Sequence, residues 1–330
     1  MTPTSFRRYS VALLLLLPTA PSLPNPESGR IAFAAKLEGN WEILVVNPDD
    51  PRPVRVTSRP TDERFPLWSP DGTRLAFGSG NAERLELWVM DADGSRQKRL
   101  APELGAKTAR AWSPDGRRIA FTAGRRGSRD VSIAALDGSE ITRLTGDDSD
   151  DSDPSWSPDG HRIAYTSVRA GNADIWVVDL RTNAHVQLTD SPAADGFAAW
   201  SPDGRLLAFT STRTGRRDIY LMRADGSGVR RLTTDSTAYG VPVWSPDGQR
   251  LAVQAVREDY DIDLIDVVSG ASTRLVASKG YDGQVAWSPD GQRLVFISSR
   301  GGNEGVYVTS LSGKVTRVSS SQSLDPHWSR

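Results

Sequence analysis

The pentapeptide Trp-Ser-Pro-Asp-Gly begins at Trp68, Trp112, Trp156, Trp200, Trp244 and Trp287, and a clipped copy, Trp328-Ser329-Arg330, ends the chain. Successive tryptophans lie 44, 44, 44, 44, 43 and 41 residues apart. A period of this length restricts the chain to architectures that stack one supersecondary unit on copies of itself, as a propeller or a solenoid does.

One unit, Asp195 to Thr233, reads as four strands. Gly196 to Trp200 is a short apolar run, Ser201-Pro202-Asp203-Gly204 a turn, and Leu206 to Thr210 a β-rich run; a polar stretch containing Gly215 leads to Asp218 to Met222. A second tight turn, Ala224 to Gly228, precedes a fourth strand, Val229 to Leu232. Proline sets φ for the turn, aspartate bonds nearby backbone N–H groups, and glycine accepts the positive φ from which the next strand starts. No stretch of useful length carries a 3.6-residue period, so the fold class is all-β, with four antiparallel strands per blade. Each tryptophan ends a first strand, where its flat side chain can fill the wedge between two sheets.

The repeats begin mid-unit. Ile31 to Ala35, Trp41 to Val46 and Val54 to Thr57 read as strands two, three and four, and Leu324 to Trp328 has the pattern of a first strand with nothing after it. Joining these halves gives a seven-bladed β-propeller closed by its C-terminal strand, which removes two open sheet edges. A single domain over residues 23–330 is expected.

The repeat resembles the TolB-type β-propeller repeat, also found in tricorn-like and prolyl-oligopeptidase-type propellers. The resemblance rests on the six Trp-Ser-Pro-Asp-Gly motifs, the Asp-Ile-Trp and Asp-Ile-Tyr strands at Asp174 and Asp218, the turns Asp93-Gly94, Asp137-Gly138 and Asp225-Gly226, and the Arg-Leu-Thr strand ends at Arg143 and Arg231. It covers roughly residues 29 to 330 and implies the propeller fold more strongly than any activity. TolB carries an α/β domain ahead of its propeller, whereas only about 30 residues precede the first strand here. The family's peptidases add a hydrolase domain with a Gly-x-Ser-x-Gly elbow, a motif absent from this sequence. A free-standing propeller is expected.

Arg7 and Arg8, the apolar run Val11 to Leu17 and the small residues that follow read as an export signal over residues 1–22, too short to span a bilayer. A periplasmic or secreted protein is expected, not membrane-spanning and monomeric. The absence of cysteine excludes disulfides, thiolate metal sites and a cysteine nucleophile. With 40 basic against 41 acidic residues no global field favours nucleic acid.

Chemistry is sparse. His161 and His185 fall on one blade and His327 on another, so they do not converge on a metal as the clustered histidines of some propeller lyases do. No metal and no cofactor are expected. The acidic run Asp147 to Asp153 lacks the glycine and distal glutamate of an EF-hand and reads as solvated. Arg169, Arg213 and Arg300, each five residues before Asp174, Asp218 and Gly305, read as loop braces on the third-strand aspartates, a contact that Gly305 would deny its blade.

Five residues before each tryptophan stand Glu63, Lys107, Asp151, Asp195, Tyr239, Asp282 and Ser323. Topology puts this column at the face that carries the blade-to-blade loops, opposite the repeated tight turns. With Asp153, Tyr281 and Asp325 nearby, the candidate binding residues Glu63, Asp151, Asp153, Asp195, Tyr239, Tyr281, Asp282 and Asp325 are expected to converge on an acidic channel mouth whose mutual repulsion favours a cationic visitor. The expected function is a non-enzymatic, protein-binding module of the cell envelope, engaging an envelope or extracellular protein or peptide with a basic segment. The alternative is a hydrolase or lyase acting on a carbohydrate or peptide in the channel, with carboxylates such as Asp151 and Asp195 as acid and base.

Overall fold

The computed structural model describes residues 29–81, 84–104, 107–319 and 321–329. The export signal expected over residues 1–22 lies outside them. Seven sheets follow one another around a ring, each with its strands antiparallel; six keep sequence order, and in blade 1 the C-terminal strand stands before the first three strands of the chain. Blade 5 is typical: Asp195–Trp200, Leu206–Ser211, Asp218–Arg223 and Arg230–Arg231. In blade 6 the first strand is broken into Ala238–Tyr239 and Val243–Trp244, both paired with Arg250–Val256. First strands of neighbouring blades touch one another all round the ring, so they line the axis and the fourth strands stand outermost.

The core is a ring of seven apolar clusters, each shared by two adjacent blades. Between blades 4 and 5, Ala164, Ile175 and Val177 meet Trp200, Leu207 and Phe209. Six of the seven motif tryptophans are buried and Trp244 is half-buried. Trp112, Trp244 and Trp287 donate their indole N–H to a first-strand carbonyl of the preceding blade. Arginines of the preceding blade cover others, Arg118 over Trp156 at 4.9 Å and Arg162 over Trp200 at 4.6 Å.

The turn explains the invariant serine. Ser201 Oγ donates to Asp203 Oδ1 at 2.6 Å and accepts the Leu206 N–H at 2.9 Å, while Gly204, at φ 71°, donates its N–H to the Ser201 carbonyl. One hydroxyl thus ties the turn to the start of the second strand. The chain ends rebuild the same bonds across the gap. Ser329 N–H donates to the Arg30 carbonyl, and Arg30 N–H donates to Ser329 Oγ at 2.7 Å. Ser323–Trp328 pairs with Ile31–Leu37 as the first strand of blade 1, so the split motif and the shared blade close the ring together. Among the described residues no helix is long and apolar enough to cross a membrane.

Candidate functional site

Each first strand carries a bulge. Its residue three before the tryptophan adopts a left-handed backbone in five blades, at Phe65, Asp153, Phe197, Gln284 and Asp325. The register skips at these points, between Gly196 and Ala199 in blade 5, for example. A bulge in an innermost strand turns a side chain out of the sheet. Phe197, 38% exposed, and Gln284 are open to the channel. Phe65, Phe197 and Gln284 were missed in the sequence, whereas Asp153 and Asp325 of the same column were named for their charge.

The column two residues earlier behaves differently. Glu63, Asp151, Asp195, Tyr239, Asp282 and Ser323 are all buried, at 0–1% exposure. They occupy equivalent positions on the innermost strands of successive blades. Three carboxylates are neutralised. Arg169 Nη2 lies 3.0 Å from Asp151, Arg213 Nη2 2.7 Å from Asp195 and Arg300 Nη2 3.0 Å from Asp282. The arginines expected to brace third-strand aspartates therefore reach the first strand of their own blade, and the blade with Gly305 keeps its brace. The same guanidiniums lie over third-strand aromatics, 4.7 Å from the Trp176 ring, 5.4 Å from Tyr220 and 5.3 Å from Tyr307.

The third-strand acids have their own partners from the fourth strand: Arg55 with Glu42, Arg99 with Glu86, Arg143 with Asp130, Arg231 with Asp218 and Arg274 with Asp261. Three first-strand and five third-strand carboxylates are thus paired with arginines of their own blades, which offsets much of the negative field expected at the mouth. The acidic run is likewise tied down, with Asp150 bidentate on Arg129 at 2.7 and 2.5 Å, which holds its carboxyl below the usual range, and Asp147 3.4 Å from Arg169.

Tyr239 donates its hydroxyl to Asp235 at 2.7 Å, and burial pushes its pKa up to about 12. Asp153 accepts the Ser152 hydroxyl at 2.9 Å. Tyr281 and Asp325 do come together. Tyr281 lies against Tyr260, ring centroids 5.6 Å apart, and its hydroxyl lies over Gly283, where a Cβ would come within 2.6 Å of it. Burial raises its pKa, with Asp325 and Glu304 adding to the shift. The Asp325 side chain is 6% exposed, its carboxyl pushed up by burial although Arg64 lies 3.7 Å away, and its N–H donates to Gln284 at 2.8 Å. Gln284, Asp325, Tyr281 and Arg64 therefore form a polar arc across blades 7, 1 and 2, and Phe197 and Val241 of blades 5 and 6 are exposed apolar residues.

The histidines serve packing. His185 shares a 2.8 Å hydrogen bond with the Tyr165 hydroxyl, and His327 Nδ1 accepts the Trp68 N–H at 3.3 Å, joining blade 1 to blade 2. Among the described residues no group of three or more His, Asp or Glu side chains is placed to hold a metal ion.

The sequence profile of the TolB beta propeller domain matches residues 149–241 and 236–330. TolB from Acinetobacter baumannii is 23% identical, covering 93% of this chain and 68% of its own, with a TM-score of 0.61. Oligogalacturonate lyase from Vibrio parahaemolyticus is 14% identical over 88% of this chain and 84% of its own, with a TM-score of 0.63. A puromycin-hydrolyzing peptidase from Mycobacterium tuberculosis is 16% identical over 90% of this chain, which spans 55% of the peptidase, with a TM-score of 0.70. At these identities the likeness is one of fold. No curated protein matches the chain. The profile runs over more than half of the sequence and falls on the four-stranded blades described above, and the chain belongs to the TolB beta propeller domain family.

Proposed function

We propose that the protein is an exported, non-enzymatic propeller that binds an envelope or extracellular protein through the face carrying its blade-to-blade loops. The observation that carries this reading is the bulge ring. The innermost strands present different side chains from blade to blade, Phe65, Asp153, Phe197, Gln284 and Asp325, on a frame of repeated turns and ion pairs. A rigid frame with a varied rim suits recognition of a partner surface. The carboxylates that a hydrolytic mechanism would use, Asp151 and Asp195, are buried and each held by a guanidinium, a structural rather than a proton-transfer arrangement. Likeness to TolB favours an envelope location. Basic character in the partner is expected to act locally, since the mouth as a whole is charge-compensated.

The test is affinity capture from envelope extract with the wild-type protein and with Phe197→Asp, alongside glycan and peptide turnover panels. A partner retained by the wild type and lost by Phe197→Asp supports the proposal. Turnover of a glycan or peptide without a stable partner contradicts it.

A further inference from the structure

Blade 2 reverses a charge pattern that blade 4 shows at the same place in the repeat. In blade 4, Asp147 stands nine residues before Trp156 and Arg169 thirteen after it. The Arg169 guanidinium lies 4.7 Å from the Trp176 ring and is neutralised by Asp147 at 3.4 Å and Asp151 at 3.0 Å. At the same offsets from Trp68, blade 2 has Arg59 where the aspartate stood and Asn81 where the arginine stood. Arg59 takes over the equivalent aromatic, its guanidinium 3.6 Å from the Trp88 ring and its Nη1 donating to Gln97 at 3.2 Å. The stacked cation is kept and its carboxylate is lost, for Arg59 makes no ion pair among the described residues.

Asparagine is shorter than arginine, and beside Asn81 lies a cavity of about 670 Å³ with Arg59, Arg84 and Arg99 in its wall. Arg84 opens the third strand, is exposed, and also makes no ion pair among the described residues. Two carboxylates share the wall. Glu86 is taken by Arg99 at 2.6 Å, and Asp62 accepts the Trp41 N–H at 3.0 Å. Glu63 lies outside the wall, fully buried, with Oε1 accepting the Thr61 and Ser79 hydroxyls. Burial, with Glu42 beside it, raises its pKa, so it brings little negative charge to the cavity. Three guanidiniums therefore face two carboxylates here, whereas the matching arginines of blades 4, 5 and 7 are neutralised by aspartates of their own blades.

We infer that this cavity on blade 2 is a seat for an anionic group of a ligand, a carboxylate or a phosphate, held by the guanidiniums of Arg59 and Arg84. The ligand's anion stands in for the aspartate that the repeat supplies in blade 4. Stacking occupies the face of a guanidinium and leaves its edge to donate, and paired N–H groups match the oxygens of either anion in a charge-assisted fork. The wall comes from the loop that joins blades 1 and 2 and from the third and fourth strands of blade 2, so the seat lies outward of the bulges that line the channel. It rests on the chemistry of this cavity and stands or falls separately from the protein-binding reading.

The test titrates the full-length protein by calorimetry with acetyl-Asp-Glu-amide, with the neutral acetyl-Asn-Gln-amide and with inorganic phosphate. One or both anions are expected to bind, the tighter of them showing whether carboxylate or phosphate is the better occupant, and the neutral dipeptide is expected not to. Binding should weaken as salt is raised, because the seat is open to solvent. Arg84→Gln, which removes an exposed side chain with no ion pair to lose, and Arg59→Gln are each expected to weaken binding about tenfold. Arg117→Gln, on the tight-turn face, is expected to leave it unchanged. Binding of neither anion, equal binding of the neutral dipeptide, or wild-type affinity in a folded Arg84→Gln protein overturns the inference. If Arg59→Gln does not fold, Arg84→Gln decides alone.

Discussion

Asp195 shows why charge at this mouth cannot be judged from sequence alone. The acidic column was legible at a fixed offset from each tryptophan, and so were the arginines, but the partner of each arginine was assigned to the aspartate five residues away. The contact lies 18 residues back, because the loop after the second strand folds the side chain over its own blade toward the first strand. The consequence is energetic. An aspartate exposed among like charges would be improved by neutralisation, whereas Asp195, 1% exposed and bonded to Arg213, stabilises the junction. Asp195→Asn is expected to cost about 1–3 kcal/mol, since it leaves a half-buried guanidinium facing an amide. Urea unfolding checks this, and an unchanged midpoint would show that the pair contributes nothing. Asp153 and Asp325 were legible only as charges, and Phe197 and Gln284 not at all, since nothing in these side chains announces a left-handed backbone, which the register around them imposes.

At the level of elements, the hairpins were fully legible, because proline, aspartate and glycine each carry a specific backbone preference. The role of the serine was not, since its hydroxyl acts only once the second strand has returned to Leu206. Strand order and the shared first blade were also readable from the halves left at the two ends of the repeat. The structure adds the rejoined turn at Ser329 and Arg30 and the hydrogen bond from Trp68 to His327, two further ties across the same seam. Deleting Leu324 to Arg330 removes the strand paired with Ile31–Leu37 and the buried Trp328 together. The truncated protein is expected to aggregate or to lose several kcal/mol of stability. Retention of the wild-type urea midpoint would contradict the shared blade. Ser329→Ala is a milder probe of the same seam, expected to cost about 1 kcal/mol by removing the acceptor of the Arg30 N–H.

Across the whole molecule, two faces with different chemistry follow from one repeat. The tight-turn face is uniform, with the Trp-Ser-Pro-Asp-Gly hairpins interlocked so that Gly116, Gly160, Gly204, Gly248 and Gly291 each lie against the proline of the preceding blade. The opposite face carries the bulges, the polar arc of Gln284, Asp325 and Arg64, and the exposed Phe197. Ring architecture, blade number and closure came from periodicity. The proposed recognition surface rests on departures from that periodicity, at Phe197 and Gln284 above all. The central claim is that partners meet the bulge-bearing face. Site-specific photo-crosslinking measures it most directly, with the crosslinker placed at Phe197 or Gln284 on that face and at Gln249 or Gln292 beside the tight turns, each in protein produced in living cells. Adducts of defined mass from Phe197 and Gln284, and none from Gln249 and Gln292, are the predicted result; adducts confined to Gln249 and Gln292 would contradict the account.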